Sequence, residues 1–190
     1  SLVVLAWPES RSTPSSRNRI AERSCHIRFE ASPMAHDHPG HAFDWTAWIA
    51  ARRELFEQRV SLNQYIGLHL EDAGPGWARM SMLLRPEVLN PFDAAHGGSI
   101  CALIDSAAGS AIAAGTLPDD RIMGTIDMQV HFLERARGTV LIAEGRVVRA
   151  GNAIAIAHVE VQDDADRAVA MGTATFRLGK PGSQRHRNED

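Results

Sequence analysis

Cysteine is nearly missing from this chain of 190 residues, which holds two, Cys25 and Cys101. One lies in a polar stretch and one in an apolar helical pattern, so they offer neither a disulfide framework nor the ligand spacing of a zinc site. The expectation is a reducing, cytoplasmic setting, with no metal and no redox cofactor. Charge of one sign is also lacking, because Lys and Arg number 20 against 23 Asp and Glu, a formal charge of -3. Nothing in the bulk draws the chain to nucleic acid or to an anionic membrane, and any grip on phosphates has to come from a local group of basic side chains. Long hydrophobic runs are missing too. Leu2 to Trp7 ends at Pro8, far short of the roughly 18 residues that span a bilayer. It also lacks the basic leader and small-residue cleavage site of a secretory signal.

What is present suits one compact domain, with 44% hydrophobic and 23% charged residues. Residues 1–43 carry Ser, Arg, Pro and His without a sustained period and read as a disordered leader. Met34 stands just before the folded pattern begins, so the first 33 residues read as lying ahead of the native start; an Arg-rich and Ser-rich transit peptide is the alternative. The folded domain is expected over 44–180, with a flexible tail at 181–190. Within the leader, His36, Asp37, His38 and His41 have metal-ligand chemistry but no partner cluster.

Asp44 reads as an N-cap, followed by an amphipathic helix with Trp45, Trp48, Ile49, Leu55 and Phe56 on one side and Arg52, Arg53 and Glu57 on the other. Tyr65 to Leu70 and Trp77 to Leu84 read as strands, joined by a turn over Asp72 to Gly76. From His96 to about Ala114 the pattern is apolar on every side, which predicts a buried helix whose small residues let a sheet come close. Strand-like runs follow near 122–134, 139–149, 153–163 and 168–178, with connections short enough for antiparallel neighbours. In the first of them Ile126, Met128, Val130 and Phe132 alternate with polar residues, so the even positions are expected to pack. The expected class is α+β, an antiparallel sheet of about six strands wrapped around a central buried helix.

Two features of the helical segment carry chemistry. Gly97 and Gly98 open it, where backbone N–H groups lack intrahelical partners and the macrodipole is positive, a place to hold a polarised carbonyl oxygen. Asp105 is a carboxylate in the middle of an apolar helix, where burial costs several kcal/mol unless it is paired. Nine residues from His96 to Asp105 amount to roughly 900°, half a turn out of phase, with a rise of about 13.5 Å. One helix cannot aim both at one substrate. If both serve one reaction, two copies must lie side by side, which predicts a twofold homodimer with two equivalent sites.

Asn90, His96-Gly97-Gly98, Asp105 and Thr125-Ile126-Asp127-Met128 resemble, in type and spacing, the PaaI-type hotdog thioesterases. The resemblance runs from about Tyr65 to Leu178 and includes Ala168 to Phe176. It implies a hotdog fold and an acyl-CoA thioesterase that needs no cofactor. The Gly97 N–H would polarise the thioester carbonyl, while Asp105 of the partner subunit acts as nucleophile or general base. Thr125 would orient the water or the carboxylate. Asn90 and His96 would complete the site, His96 as a hydrogen-bonding organiser, and Gly98 would lie against the substrate. The resemblance also implies assembly at least to a homodimer, with a tetramer as a dimer of dimers. At one position the sequence departs from the family: Asp93 stands three residues after the asparagine, where a glycine is usual.

Arg135, Arg137, Arg146 and Arg149 are the basic residues available to coenzyme A phosphates, Arg149 being favoured because it precedes the Ala150-Gly151-Asn152 turn. Cys101 reads as a small hydrophobe rather than a thiolate. Two other functions share the fold, an acyl-thioester dehydratase or hydratase and a non-catalytic acyl-CoA sensor. The first lacks support in the spacing of His96 and Asp105, and the second lacks an attached nucleic-acid-binding segment.

Overall fold

The computed structural model describes residues 43–116 and 122–180; the leader up to residue 42, with its histidine cluster, and the tail from 181 lie outside the described residues. Helix α1 (Trp45–Arg53) is capped by Asp44, whose carboxylate accepts from the Ala47 N–H at 2.9 Å. A π-helical turn, Glu54–Gln58, leads to the short helix α2 (Ser61–Ile66), which ends where Gly67 takes a left-handed φ of 71°. Reading Tyr65 to Leu70 as a strand is therefore corrected. Tyr65 and Ile66 finish a helix, and Arg85 donates to the Tyr65 carbonyl. Strand β1 (Leu68–Gly74) runs on through residues expected to turn, leaving Pro75 and Gly76 to join it to β2 (Trp77–Leu83).

The side of α1 read as polar does not face solvent. Arg52 is buried, its guanidinium 5.7 Å from the Trp48 ring and 4.5 Å from that of Phe56. Arg53 donates to the Leu70 and Glu71 carbonyls at 2.6 and 2.8 Å, and Glu57 accepts from the Leu70 N–H at 3.1 Å. These side chains take up backbone groups along the outer edge of β1, an edge that would otherwise invite another strand.

Helix α3 (Gly97–Gly115) is the core. By length and composition it could cross a membrane, a property that its Ser and Asp residues hide from a search for unbroken apolar runs. Here it lies instead against all six strands of one sheet. Leu103, Ile104, Ala107, Ala108, Ala111 and Ile112 have no exposed surface, and each large apolar side chain so buried contributes roughly 1.5–3 kcal/mol. Small residues set the approach distance from both sides: a Cβ at Gly145 would stand 2.6 Å from the Ala107 carbonyl oxygen.

The remaining strands are β3 (Ile122–Phe132), β4 (Val140–Ala150), β5 (Ile154–Asp163) and β6 (Ala168–Leu178). All pairs are antiparallel, in the order β1-β2-β4-β5-β6-β3. The two edges are unlike. β1 is sealed by α1, whereas among the described residues β3 pairs only with β6 and exposes Met123 at 55% and Ile126 at 60%. The expectation that α3 is buried all round holds for Ala107 to Ala114; its first half leaves Gly98, Cys101, Ala102 and Asp105 partly open along one stripe.

Candidate active site

The loop into α3 is tied up by its own asparagine. The Asn90 side-chain oxygen accepts from the Phe92 and Ala94 N–H groups at 2.9 and 3.3 Å, and its backbone N–H reaches the Ala94 carbonyl at 2.8 Å. Asp93, the departure from the family pattern, has φ 54°. Glycine enters that left-handed region without penalty and aspartate tolerates it, so the loop closes around Asn90 with Asp93 in place. The Asn90 Nδ2 has no partner among the described residues and is left to donate elsewhere.

His96 is the N-cap of α3, its Nδ1 accepting from the Gly98 N–H at 2.9 Å. Two consequences follow from that bond. The proton of the neutral ring sits on Nε2, and the Gly98 amide is occupied. The Gly97 N–H, by contrast, has no partner among the described residues and opens onto a cleft of about 330 Å³ lined by Asn90, Gly97, Ile100, Phe132, Glu134 and Arg135. The Phe132 ring lies close enough to Gly97 that a Cβ there would meet it at 3.3 Å.

Halfway along α3, the Thr125 hydroxyl donates to Asp105 Oδ1 at 2.6 Å. A β-bulge makes this contact possible. In the pairing with β6, Thr125 opposes Phe176 and Asp127 opposes Thr175, so Ile126 has no partner and is pushed outward. The expected alternation is thereby broken. Thr125, an odd position, shares the helix-facing side with Met128 and Val130, and Ile126 leaves it. Asp105 is partly exposed in the single chain, which corrects its expected burial; the fully buried carboxylate is Asp163, at 0% exposure. Burial pushes the Cys101 thiol above its ordinary range, which disfavours the thiolate.

Within one chain, then, Asn90 and Gly97 line the cleft at the helix start with His96 adjacent in sequence, Asp105 pairs with Thr125, and none of His96, Gly98, Asp105 and Thr125 lines the cleft. Arg149 belongs to neither group; it is exposed beside a register shift in the pairing of β4 with β5, near the end of β4. Arg146 is engaged by Glu144, which also holds Arg79. Sequence reasoning missed Phe132 as a cleft residue and gave Arg135 no precedence over its neighbours. Both follow once β3 is seen to end against the start of α3. Among the described residues no group of three or more His, Cys, Asp or Glu is placed to hold a metal ion.

The chain matches the thioesterase superfamily over residues 92–170. It is 31% identical over 140 residues to the medium/long-chain acyl-CoA thioesterase YigI of Salmonella typhimurium, covering 66% of this chain and 90% of that protein. The Escherichia coli YigI is 30% identical over the same shares. A Shewanella oneidensis protein related to the thioesterase superfamily superposes with a TM-score of 0.64 at 25% identity, covering 71% of this chain and 97% of that one. The E. coli PaaI protein of the phenylacetic acid degradation operon superposes with a TM-score of 0.60 at 20% identity, covering 70% and 94%.

Proposed function

This chain belongs to the thioesterase superfamily and has the PaaI-type hotdog fold, and from that premise we propose that it hydrolyses acyl-CoA thioesters at sites shared between two copies of the chain. The observation that carries this reading is the Thr125 to Asp105 hydrogen bond at 2.6 Å, on a helix stripe otherwise made of small residues. A hydroxyl donating to Oδ1 holds the carboxylate in one orientation and leaves Oδ2 for substrate or water. The Gly97 N–H is the complementary half, an unpartnered amide at a helix start, suited to the oxygen of a carbonyl gaining negative charge.

Assembly joins the halves. The open edge of β3 and the bare stripe of α3 are side by side, since Thr125 and Asp105 bridge them, and together they form one surface for a second copy. Pairing of β3 with its twofold mate satisfies the free edge and covers Met123 and Ile126. Asp105 then faces the partner's helix start. Either its carboxylate attacks the thioester carbon, giving a mixed anhydride that water then hydrolyses to the free acid, or it takes the proton of a water that attacks that carbon directly. In both cases the C–S bond breaks and the electron pair leaves on sulfur; the thiolate takes a proton from solvent in the first route and from protonated Asp105 in the second, and coenzyme A departs as the thiol. Asn90 Nδ2 and His96 Nε2–H are donors left to the substrate beside Gly97. Further pairing of dimers into a tetramer and a cytoplasmic location belong to the same proposal.

The relatives named for medium and long acyl chains favour that substrate range here. A thiol-release assay across acyl-CoA chain lengths should give the highest kcat/KM on medium and long chains. Saturable binding without release of coenzyme A would favour a sensor and overturn the reading.

A further inference from the structure

Resting on the acyl-CoA reading of this site, we propose that Arg135 binds a phosphate of the coenzyme nucleotide and so sets the enzyme's preference for coenzyme A thioesters over shorter thioesters. Arg135 lines the same cleft as Gly97. Other arginines of the domain are already committed: Arg53 to strand carbonyls, Arg79 and Arg146 to Glu144, Arg85 to the Tyr65 carbonyl, and Arg167 to Asp163. Arg135 makes no hydrogen bond or ion pair among the described residues, and its side chain is exposed.

Position decides which part of the substrate it meets. The Phe132 ring lies beside Gly97, and Arg135 is three steps further along the chain, at most roughly 10 Å. The arginine side chain adds its own length. Its guanidinium can therefore reach phosphates that a pantetheine arm carries away from a thioester held at the Gly97 amide. A substrate whose carbonyl lies on the Gly97 N–H carries its phosphates to the Arg135 end of the cleft. There a planar fork of donors matches a phosphate in geometry and charge. Glu134 lines the cleft too and bears the charge that phosphates avoid, which leaves Arg135 as the cleft's cationic group. The backbone behind it is fixed: Ala136 is buried, and the Arg137 N–H donates to Asp163 at 3.2 Å.

The test compares one acyl group on coenzyme A and on N-acetylcysteamine, which lacks the nucleotide, using the native chain and Arg135→Gln, Arg135→Lys and Arg149→Gln. Arg135→Gln should raise KM for the coenzyme A thioester roughly tenfold while leaving kcat and the N-acetylcysteamine KM as they are. Arg135→Lys should fall between, and Arg149→Gln should behave as the native chain. If Arg135→Gln shifts neither KM, or both equally, the phosphate contact is refuted while hydrolysis stands. A native chain that cleaves neither thioester refutes the functional reading itself.

Discussion

Replacing Asp105 with asparagine should lower kcat on the order of a thousandfold while fold and assembly stay intact. Asparagine has nearly the shape of aspartate, and its side-chain oxygen still accepts from the Thr125 hydroxyl, now at 2.6 Å from Asp105 Oδ1. Asp105 is partly exposed in the single chain, so the exchange leaves no buried charge unpaired. What disappears is the negative charge, and with it both the nucleophile and the proton acceptor. The variant should keep its KM within a few-fold, because the carbonyl, pantetheine and phosphate contacts lie at the other half of the site. Rates from thiol release, with circular dichroism and sedimentation to verify fold and assembly, check this. A variant retaining a tenth or more of native kcat would remove Asp105 from the chemistry.

Replacing Asp163 with alanine should instead destabilise the fold, by about 2–4 kcal/mol. Its carboxylate is fully buried and accepts from the backbone N–H groups of Ala165, Arg167 and Arg137 and from the Arg167 guanidinium, at 2.6 to 3.2 Å. The loss falls short of the upper range for buried ion pairs because the Arg167 side chain is 38% exposed and can be hydrated when released. Burial alone would push the Asp163 carboxyl up. The bonds from Arg167 and from the amides of Ala165, Arg167 and Arg137 outweigh it and hold the group below its ordinary range. A depressed folded-state pKa means the contribution is complete above about pH 4, the ordinary carboxylate value, and is lost as pH falls through the folded-state value. Urea unfolding of native chain and variant should therefore differ most at neutral pH and converge in acid. Equal stability at pH 7 would show that the Asp163 network contributes nothing net.

The pairing of these two carboxylates shows what a sequence reveals and what it hides. Asp105 drew attention because its neighbours are apolar, yet it sits on the stripe of α3 that the chain's own sheet leaves bare. Asp163 drew none, standing at the end of the strand-like run 153–163 beside Asp164 and Asp166, yet it is sealed in because the β5–β6 turn folds onto the segment after β3. Local composition marks which groups are unusual for their surroundings in sequence; burial depends on which distant segment arrives. The four C-terminal strands and the core helix were legible because their periods are long and consistent. Tyr65 to Leu70 misled because two strand-favouring residues end a helix whose stop, Gly67, gives no clue to which side of it the strand begins. The Thr125 to Asp127 bulge was invisible for a related reason. One extra residue reverses the facing of a strand, and the pattern reads the same up to that point. The half-turn offset between the helix start and Asp105 is legible without coordinates, since it needs only the pitch of a helix.

From that offset comes the central proposal, that each reaction centre takes its amide from one copy and its carboxylate from the other. Two individually inactive variants test it: Asp105→Asn, and Gly97→Val, which fills the cleft beside Phe132. Each is assayed alone, and then the two are unfolded together and refolded as an equal mixture. Random pairing makes about half the dimers mixed, each with one intact site of two, so the mixture should regain about a quarter of native activity. Mixed dimers that form, as seen by native mass spectrometry, and yet remain inactive would contradict a site shared between copies.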